Sequence, residues 1–438
     1  MFSYFKTQTN QPLIIDQNQV DQKYTQYRRS TFLSIFIGYG FFYTTRLSMS
    51  VGKESMISVQ ILDAHQLGMI GSGFFFAYAL GKLTHGFLSD RAHIGRLMST
   101  GLFLSALCNF AFGLSSSFVF MMCIWTLNGW FQSTGSAPSG TNISHWFSST
   151  ERGWRYSIWS MAQNIGEVIS FTLTAFILIY FSWRASFIVP ALLCLVVAGV
   201  IHFTIKDRPS TYGLPPIENY KNDVPPSTSS AETLSLSKQL YLLKSSWLWV
   251  LGASCACMYI CRYAITNWLV LYLQQVKAYS LTQATFCLSM FSLAGIIGTL
   301  VAGPISDYFF KAHRGPAAFC YAFALFFAFI LLFYISPYSY LSDCLAATVA
   351  GFAIGGLLVF LGGLIAIDLS PSQATGAALG VIGCFSYFGA AFQEAMSGYL
   401  MYQSTQANPN FTPVVSFWMI SSLCTLGLVS LLWKKYKV

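Results

Sequence analysis

Two arginines stand in segments otherwise apolar enough to cross a bilayer: Arg46 in GYGFFYTTRLSMSV and Arg262 in CACMYICRYAITNW. A charge near the middle of a membrane helix costs about 2.5–3.5 kcal/mol even on lenient insertion scales, so such a residue marks a functional site by default. The guanidinium is a planar fork that bonds phosphate oxygens bidentately. Two forks at one depth suit a compact dianion such as a phosphate ester. The competing reading pairs each arginine with an acid of its own half. The intramembrane acids are Glu167, Glu394 and, at a span edge, Asp368, and none lies in an arginine's own span.

Helical spacing supplies the neighbours, because residues three and four apart share a face. Tyr39, Tyr43 and Arg46 form one stripe. Tyr78 and Lys82 share a face, as do Tyr259 and Arg262, and Trp159, Gln163 and Glu167 form another stripe. Tyr387 shares a face with Glu394. The candidate substrate contacts are therefore Arg46, Arg262, Tyr39, Tyr43, Lys82, Tyr78, Trp159, Gln163, Tyr259 and Tyr387. Glu167 and Glu394 are candidates for coupling. Tyrosine stripes also serve as packing or interface belts, and a lysine such as Lys82 can snorkel.

The elements that position these residues are membrane helices. Of 438 residues 55% are hydrophobic and only 9% charged, against about 25% charged in soluble domains. Twelve apolar spans of roughly bilayer length can be marked, approximately at 31–51, 66–88, 97–115, 118–141, 155–180, 185–205, 246–273, 283–306, 316–336, 343–367, 374–400 and 413–433. With an even number of spans both termini share one side, which holds 18 of the 24 lysines and arginines. Lys53, Arg184 and Lys277 fall on the other side, and Arg46, Lys82 and Arg262 inside spans. The positive-inside rule then places both termini in the cytoplasm, and the net charge of +9 records topology rather than a nucleic-acid partner. The first 30 residues are polar, so no signal peptide is expected.

The spans repeat. Asp90 in GFLSDRAHIGR follows Arg46 by 44 residues, and Asp307 in GPISDYFFKAHRG follows Arg262 by 45. Each arginine lies in the first span of a six-span half and each aspartate ends the second. The turns, with Asp90, Arg91 and Asp307, are expected to gate the face that carries the termini through helix-end charge pairs. Residues 1–30 form a polar N-terminal segment, 31–205 one six-helix half, 206–245 a Pro- and Ser-rich linker, and 246–438 the second half with a short tail. This is the plan of an all-α membrane protein of the major facilitator fold, twelve helices in two pseudosymmetric halves with a midplane site between them. The eleven cysteines lie almost wholly within spans and are expected to pack as small apolar residues, although CACMYIC could also suggest a metal site. No metal ligand set, cofactor motif, ATP-binding loop or nucleophile constellation is present, so neither an enzyme nor a cofactor is expected.

Over nearly its whole length the chain resembles the organophosphate:phosphate antiporters of the major facilitator superfamily, on GYGFFYTTR, GWFQSTGSAPSG, HWFSSTERG, YGLPPIENYKND, RYAITNW and GTLVAGPISD. QPLIIDQNQVDQKYTQYRRS looks most like the hexose-phosphate branch of transporters and sensors, and GLPPIENYKND is closest to glycerol-3-phosphate transporters. The resemblance implies that Arg46 and Arg262 hold phosphate and that a sugar phosphate is exchanged for inorganic phosphate across an inner (plasma) membrane by a monomer. It also exposes departures. Leu47 stands where the pattern has lysine, Gln163 where it has histidine, and Glu167 where it has glycine. Asn267 replaces an aspartate and Ser292 a glutamate. One base, one histidine and two acids are missing together, as though a charge network had been removed. The alternatives are a sugar-phosphate sensor with little transport, a glycerol-3-phosphate transporter, and a proton-coupled carrier using Glu167 or Glu394.

Overall fold

The computed structural model describes residues 2–89, 91–221, 245–311, 313–335, 339–369, 375–406 and 411–435. Twelve long helical segments run through them: α1 (Gln17–Ser58), α2 (Ala64–Ser89), α3 (Ile94–Leu114), α4 (Phe118–Gln132, resumed after a turn at Ser136–Trp146), α5 (Ser149–Tyr180) and α6 (Ala185–Thr204), then α7 (Ser246–Lys277), α8 (Leu281–Phe310), α9 (Arg314–Ile330), α10 (Tyr340–Val359), α11 (Thr375–Gln406) and α12 (Thr412–Lys435). In a bilayer a helix is favoured because it satisfies every backbone polar group within itself. Eight of the twelve are long and apolar enough to cross a membrane on length and composition alone. Three of the others, α1, α2 and α11, carry Arg46, Lys53, Lys82 and Glu394. The protein is a multi-pass integral membrane protein.

Helix ends use ordinary capping chemistry. The Asp16 carboxylate accepts the Asn18 N–H at 3.0 Å to start α1. Ser280 and Gln283 bond each other's backbone to start α8, satisfying two otherwise orphaned donors. Pro304 lies inside α8 and Pro190 inside α6.

The packing of the first six helices is repeated in the last six. The pairs α1–α5, α1–α6, α2–α4, α3–α4 and α3–α6 have their counterparts in α7–α11, α7–α12, α8–α10, α9–α10 and α9–α12. Two sets meet through α2–α11, α5–α8 and α1–α7. A pseudo-two-fold that carries α1 onto α7 exchanges the first two of these contacts and maps the third onto itself. Small residues permit the closest approaches, as is usual between membrane helices. A Cβ on Gly351 of α10 would stand 1.9 Å from the Phe291 carbonyl oxygen of α8, and one on Gly68 of α2 2.8 Å from Gly398 Cα of α11.

The segment after α6 packs back onto the first six helices. The Trp146 indole donates to the Asp207 carbonyl at 3.0 Å, Tyr24 donates to the Pro215 carbonyl at 2.5 Å, and Tyr220 stacks on Tyr24 at 4.0 Å. Residues 222–244 lie outside the described residues.

Candidate functional site

Arg46 and Arg262 lie on α1 and α7, the two helices related to each other at the pseudo-axis. Each is 6% exposed, and each guanidinium carbon is 5.5 Å from the centroid of one ring, Tyr263. Arg46 Nη2 donates to the Tyr263 hydroxyl at 2.6 Å. Its guanidinium also faces Tyr43, Phe74, Phe75 and Tyr78 at 5.1–5.5 Å, an aromatic cage of the kind that attracts cations. Among the described residues no carboxylate pairs with Arg46, and its Nε is buried without a hydrogen-bond partner. A buried unpartnered charged donor forfeits its solvation.

Arg262 is compensated. Its Nη2 donates to Glu167 Oε1 at 3.1 Å. Gln163 donates to the same oxygen at 3.2 Å, and Ser292 Oγ donates to Oε2 at 2.7 Å. This is an ion pair between α5 and α7, reaching across from one six-helix set to the other rather than staying within a half. A second pair mirrors it. Lys53 of α1 and Glu394 of α11 approach to 3.3 Å, each side chain 1% exposed. Trp268 donates to the same carboxylate at 3.1 Å and Asn267 at 2.6 Å, while Ser50 donates to the Asn267 amide oxygen at 2.9 Å. Lys53 Nζ also lies 3.4 Å over the Trp268 ring.

These contacts revise two expectations. Lys53, placed by sequence beyond the end of a span, is fully buried because α1 continues to Ser58. The charge network is present rather than removed. Ser292 and Asn267, which stand where the resembled pattern has acids, each donate to a carboxylate borne by a different helix, Glu167 of α5 and Glu394 of α11.

The aromatic stripes converge as spaced. Trp159 stacks on Tyr39 at 4.5 Å, and the Tyr39 and Tyr43 hydroxyls are 3.3 Å apart. Tyr387 packs tilted against Tyr78 at 4.7 Å and edge-on against Tyr259 at 5.5 Å. Among the described residues the Trp159 indole N–H is another buried donor without a partner. Lys82 Nζ is 5.0 Å from the Tyr387 ring centroid. Lys82, Ser136, Tyr156, Cys384 and Tyr387 line a cavity of about 350 Å³ on the side of the termini. There, among the described residues, no atom of a neighbouring element stands within 4 Å of where a Cβ on Gly86 of α2 or on Gly380 or Gly383 of α11 would sit, whereas Gly68 and Gly398 are in contact at the opposite end. The cavity thus opens on the face that carries the termini and is closed beyond Arg46. Of the ten sequence-derived contacts, Lys82 and Tyr387 line this cavity, and the other eight lie in the arginine, glutamate and aromatic contacts described above. Tyr263, Phe75, Lys53 and Asn267 were missed. Tyr263 had a signal, since it lies four residues after Tyr259 on the same face.

Of the gating residues, Asp307 pairs with Arg314 at 2.5 Å, and Arg314 lies 3.8 Å from Asp368. Arg91 is exposed, and Thr7 donates to its carbonyl at 3.2 Å. Asp90 lies outside the described residues.

Twelve helices in two pseudosymmetric sets around a charged central cavity define a membrane transporter of the facilitator type, a class distinct from enzymes. The sequence profile of the Major Facilitator Superfamily matches residues 31–394, and the chain belongs to that family, with its organophosphate:phosphate antiporter-like members. It is 37% identical to a probable hexose phosphate transport protein of Chlamydia pneumoniae over 86% of each chain. It is 33% identical to the glycerol-3-phosphate transporter of Bacillus subtilis over 95% of this chain and 94% of that one. To the membrane sensor protein UhpC of Salmonella typhimurium it is 32% identical over 89% of each. Among solved structures, a bacterial homologue of the human lysosomal transporter Spinster superposes with a TM-score of 0.71 at 15% identity, covering 94% of this chain and 96% of that one, a likeness of fold.

Proposed function

We propose that the protein takes up a phosphorylated sugar, hexose 6-phosphate first among them, in exchange for inorganic phosphate by alternating access. The observation that carries this reading is the Arg46 guanidinium, buried with no carboxylate partner and a free Nε among the described residues; the indole N–H of Trp159, which stacks on Tyr39 of the same helix as Arg46, is also free. A phosphate ester supplies the charge and acceptor oxygens these donors lack. The names of the Chlamydia and Bacillus relatives point to the same substrate class.

Phosphate, with about −1.5 to −2 charges at pH 7, first meets Arg46. It then competes with Glu167 for Arg262. Closing an empty cavity would leave Arg46 desolvated and unpaired, which is costly. A bound dianion offsets that cost and draws 31–205 against 246–438 at the open end, with 206–245 as the link. Each crossing then needs an anion aboard, which is exchange rather than uniport. Lys82, Tyr156 and Tyr387 face the organic part in the larger cavity. The termini and the cavity mouth lie in the cytoplasm, the membrane is the inner (plasma) membrane, and a monomer suffices.

The test is uptake of labelled glucose 6-phosphate by liposomes containing purified protein and loaded with phosphate. Uptake that requires internal phosphate is the expected result. Binding without uptake would favour the second reading, a sugar-phosphate sensor, which the 32% identity to UhpC supports. Uptake of glycerol 3-phosphate in preference to the hexose ester would reassign the substrate.

A further inference from the structure

Cys287 of α8 and Cys344 of α10 are both buried, with their Sγ atoms in direct contact at 2.6 Å. Both are free thiols here. Each lies in the second turn of its helix, at the end of the bundle opposite the termini. The Lys277–Asp343 ion pair at 2.5 Å and the Tyr279–Asp343 hydrogen bond at 2.6 Å lie next to them. Deeper in the same helix pair, glycines hold the two backbones together: a Cβ on Gly355 would stand 2.3 Å from the Gly295 carbonyl oxygen, and one on Gly298 2.0 Å from that of Phe352. Bonding the sulfurs asks them to approach by only about 0.5 Å, to the disulfide length, between two helices already held in contact.

We propose that Cys287 and Cys344 are a redox modification site and form a disulfide in the mature protein. The proposal rests on the orientation given above, which puts this end of the bundle on the extracytoplasmic side, where disulfides form and persist. The bond forms by thiol–disulfide exchange with a disulfide donor, an oxidised dithiol oxidoreductase or a small disulfide. One thiolate attacks the donor and the second displaces it. The pair gives up two electrons and two protons, and the donor leaves as two thiols. Both cysteines belong to the last six helices, so the bond does not cross the junction that moves during transport. It braces α8 against α10 and leaves exchange intact.

The experiment counts thiols and does not depend on transport. Cells are alkylated at harvest with N-ethylmaleimide, and the protein is purified and denatured without reductant in the presence of the same reagent, so that every free thiol, buried ones included, takes the light label. It is then reduced, alkylated with heavy-isotope maleimide and digested for mass spectrometry. Of the eleven cysteines, only Cys287 and Cys344 are expected to carry the heavy label. In C287S, Cys344 should carry the light label, and the reverse in C344S. Both variants should exchange phosphate within about twofold of the parent. Light label on all eleven cysteines overturns the proposal, as does pairing that appears only after adding copper–phenanthroline. Heavy label at these two sites together with failed sugar-phosphate uptake would sink the transport reading and leave the disulfide standing.

Discussion

Lys53 of α1 and Glu394 of α11 form a buried ion pair across the junction of the two six-helix sets and between the central cavity and the closed face. Its geometry says what holds that face shut. Removing one partner of a buried pair costs about 3–5 kcal/mol, whereas replacing both with apolar residues of similar volume is often near neutral. K53M alone should therefore lower the melting temperature of the detergent-solubilised protein and raise the reactivity of a thiol placed at Ser50 toward a membrane-impermeant maleimide. K53M/E394L should recover most of the melting temperature while keeping the raised reactivity. Equal melting temperatures for single and double variants would show that the pair does not hold the junction.

Arg46 and Arg262 are expected to fail as lysines. Lysine keeps the charge and loses the fork. Two charge-assisted hydrogen bonds at about 1.5–3 kcal/mol each amount to a loss of roughly a hundredfold or more in binding. R46K and R262K should each abolish phosphate exchange in liposomes at unchanged membrane level. Near-normal exchange in either would refute a two-arginine phosphate site.

The sequence made the spans, the arginine pair and the aromatic stripes legible because each is periodic: hydropathy over twenty residues, a 44- and 45-residue recurrence, and a helical face. Pairing is not periodic. Glu167 and Ser292 are 125 residues apart, and Glu394 and Asn267 are 127. Read one position at a time, an acid lost from α8 and one gained on α5 look unrelated. The same holds for Lys53. Its place near the end of an apolar run suggested a loop, and only the 42-residue length of α1 and the carboxylate of α11 show why a buried ammonium is stable there.

In the proposed exchange Glu167 competes with substrate for Arg262. In E167Q the guanidinium is left without a carboxylate, so phosphate should bind more tightly and leave more slowly. Equilibrium binding of inorganic phosphate should strengthen while the exchange rate falls. The pH profile of exchange should stay in place, following the second pKa of phosphate near 6. A profile displaced by more than about one pH unit would instead make Glu167 the proton carrier of a coupled mechanism. Weaker phosphate binding would mean that the glutamate positions Arg262 rather than competes for it.

Glu167 and Glu394 stand at nearly the same place along α5 and α11, helices that the pseudo-two-fold exchanges. Each reaches to a cation on the first helix of the other set, Arg262 of α7 and Lys53 of α1. The symmetry leaves Arg46 as the surplus charge, since α1 carries two of these cations and α7 one. What matters at each junction is then a carboxylate within reach of the cation, whichever helix bears it. At the Lys53 junction this can be tested by moving the acid. E394Q removes the negative charge beside Lys53 and should cut exchange at least tenfold, about 1.4 kcal/mol. E394Q/N267D restores one carboxylate to the same cluster from α7, because Asn267 already touches Glu394 at 2.6 Å. The double variant should regain at least half of the parent exchange rate at equal membrane level. If it stays as inactive as E394Q, the junction needs Glu394 on α11 specifically, as it would if that side chain had to travel with α11 when the closed face opens.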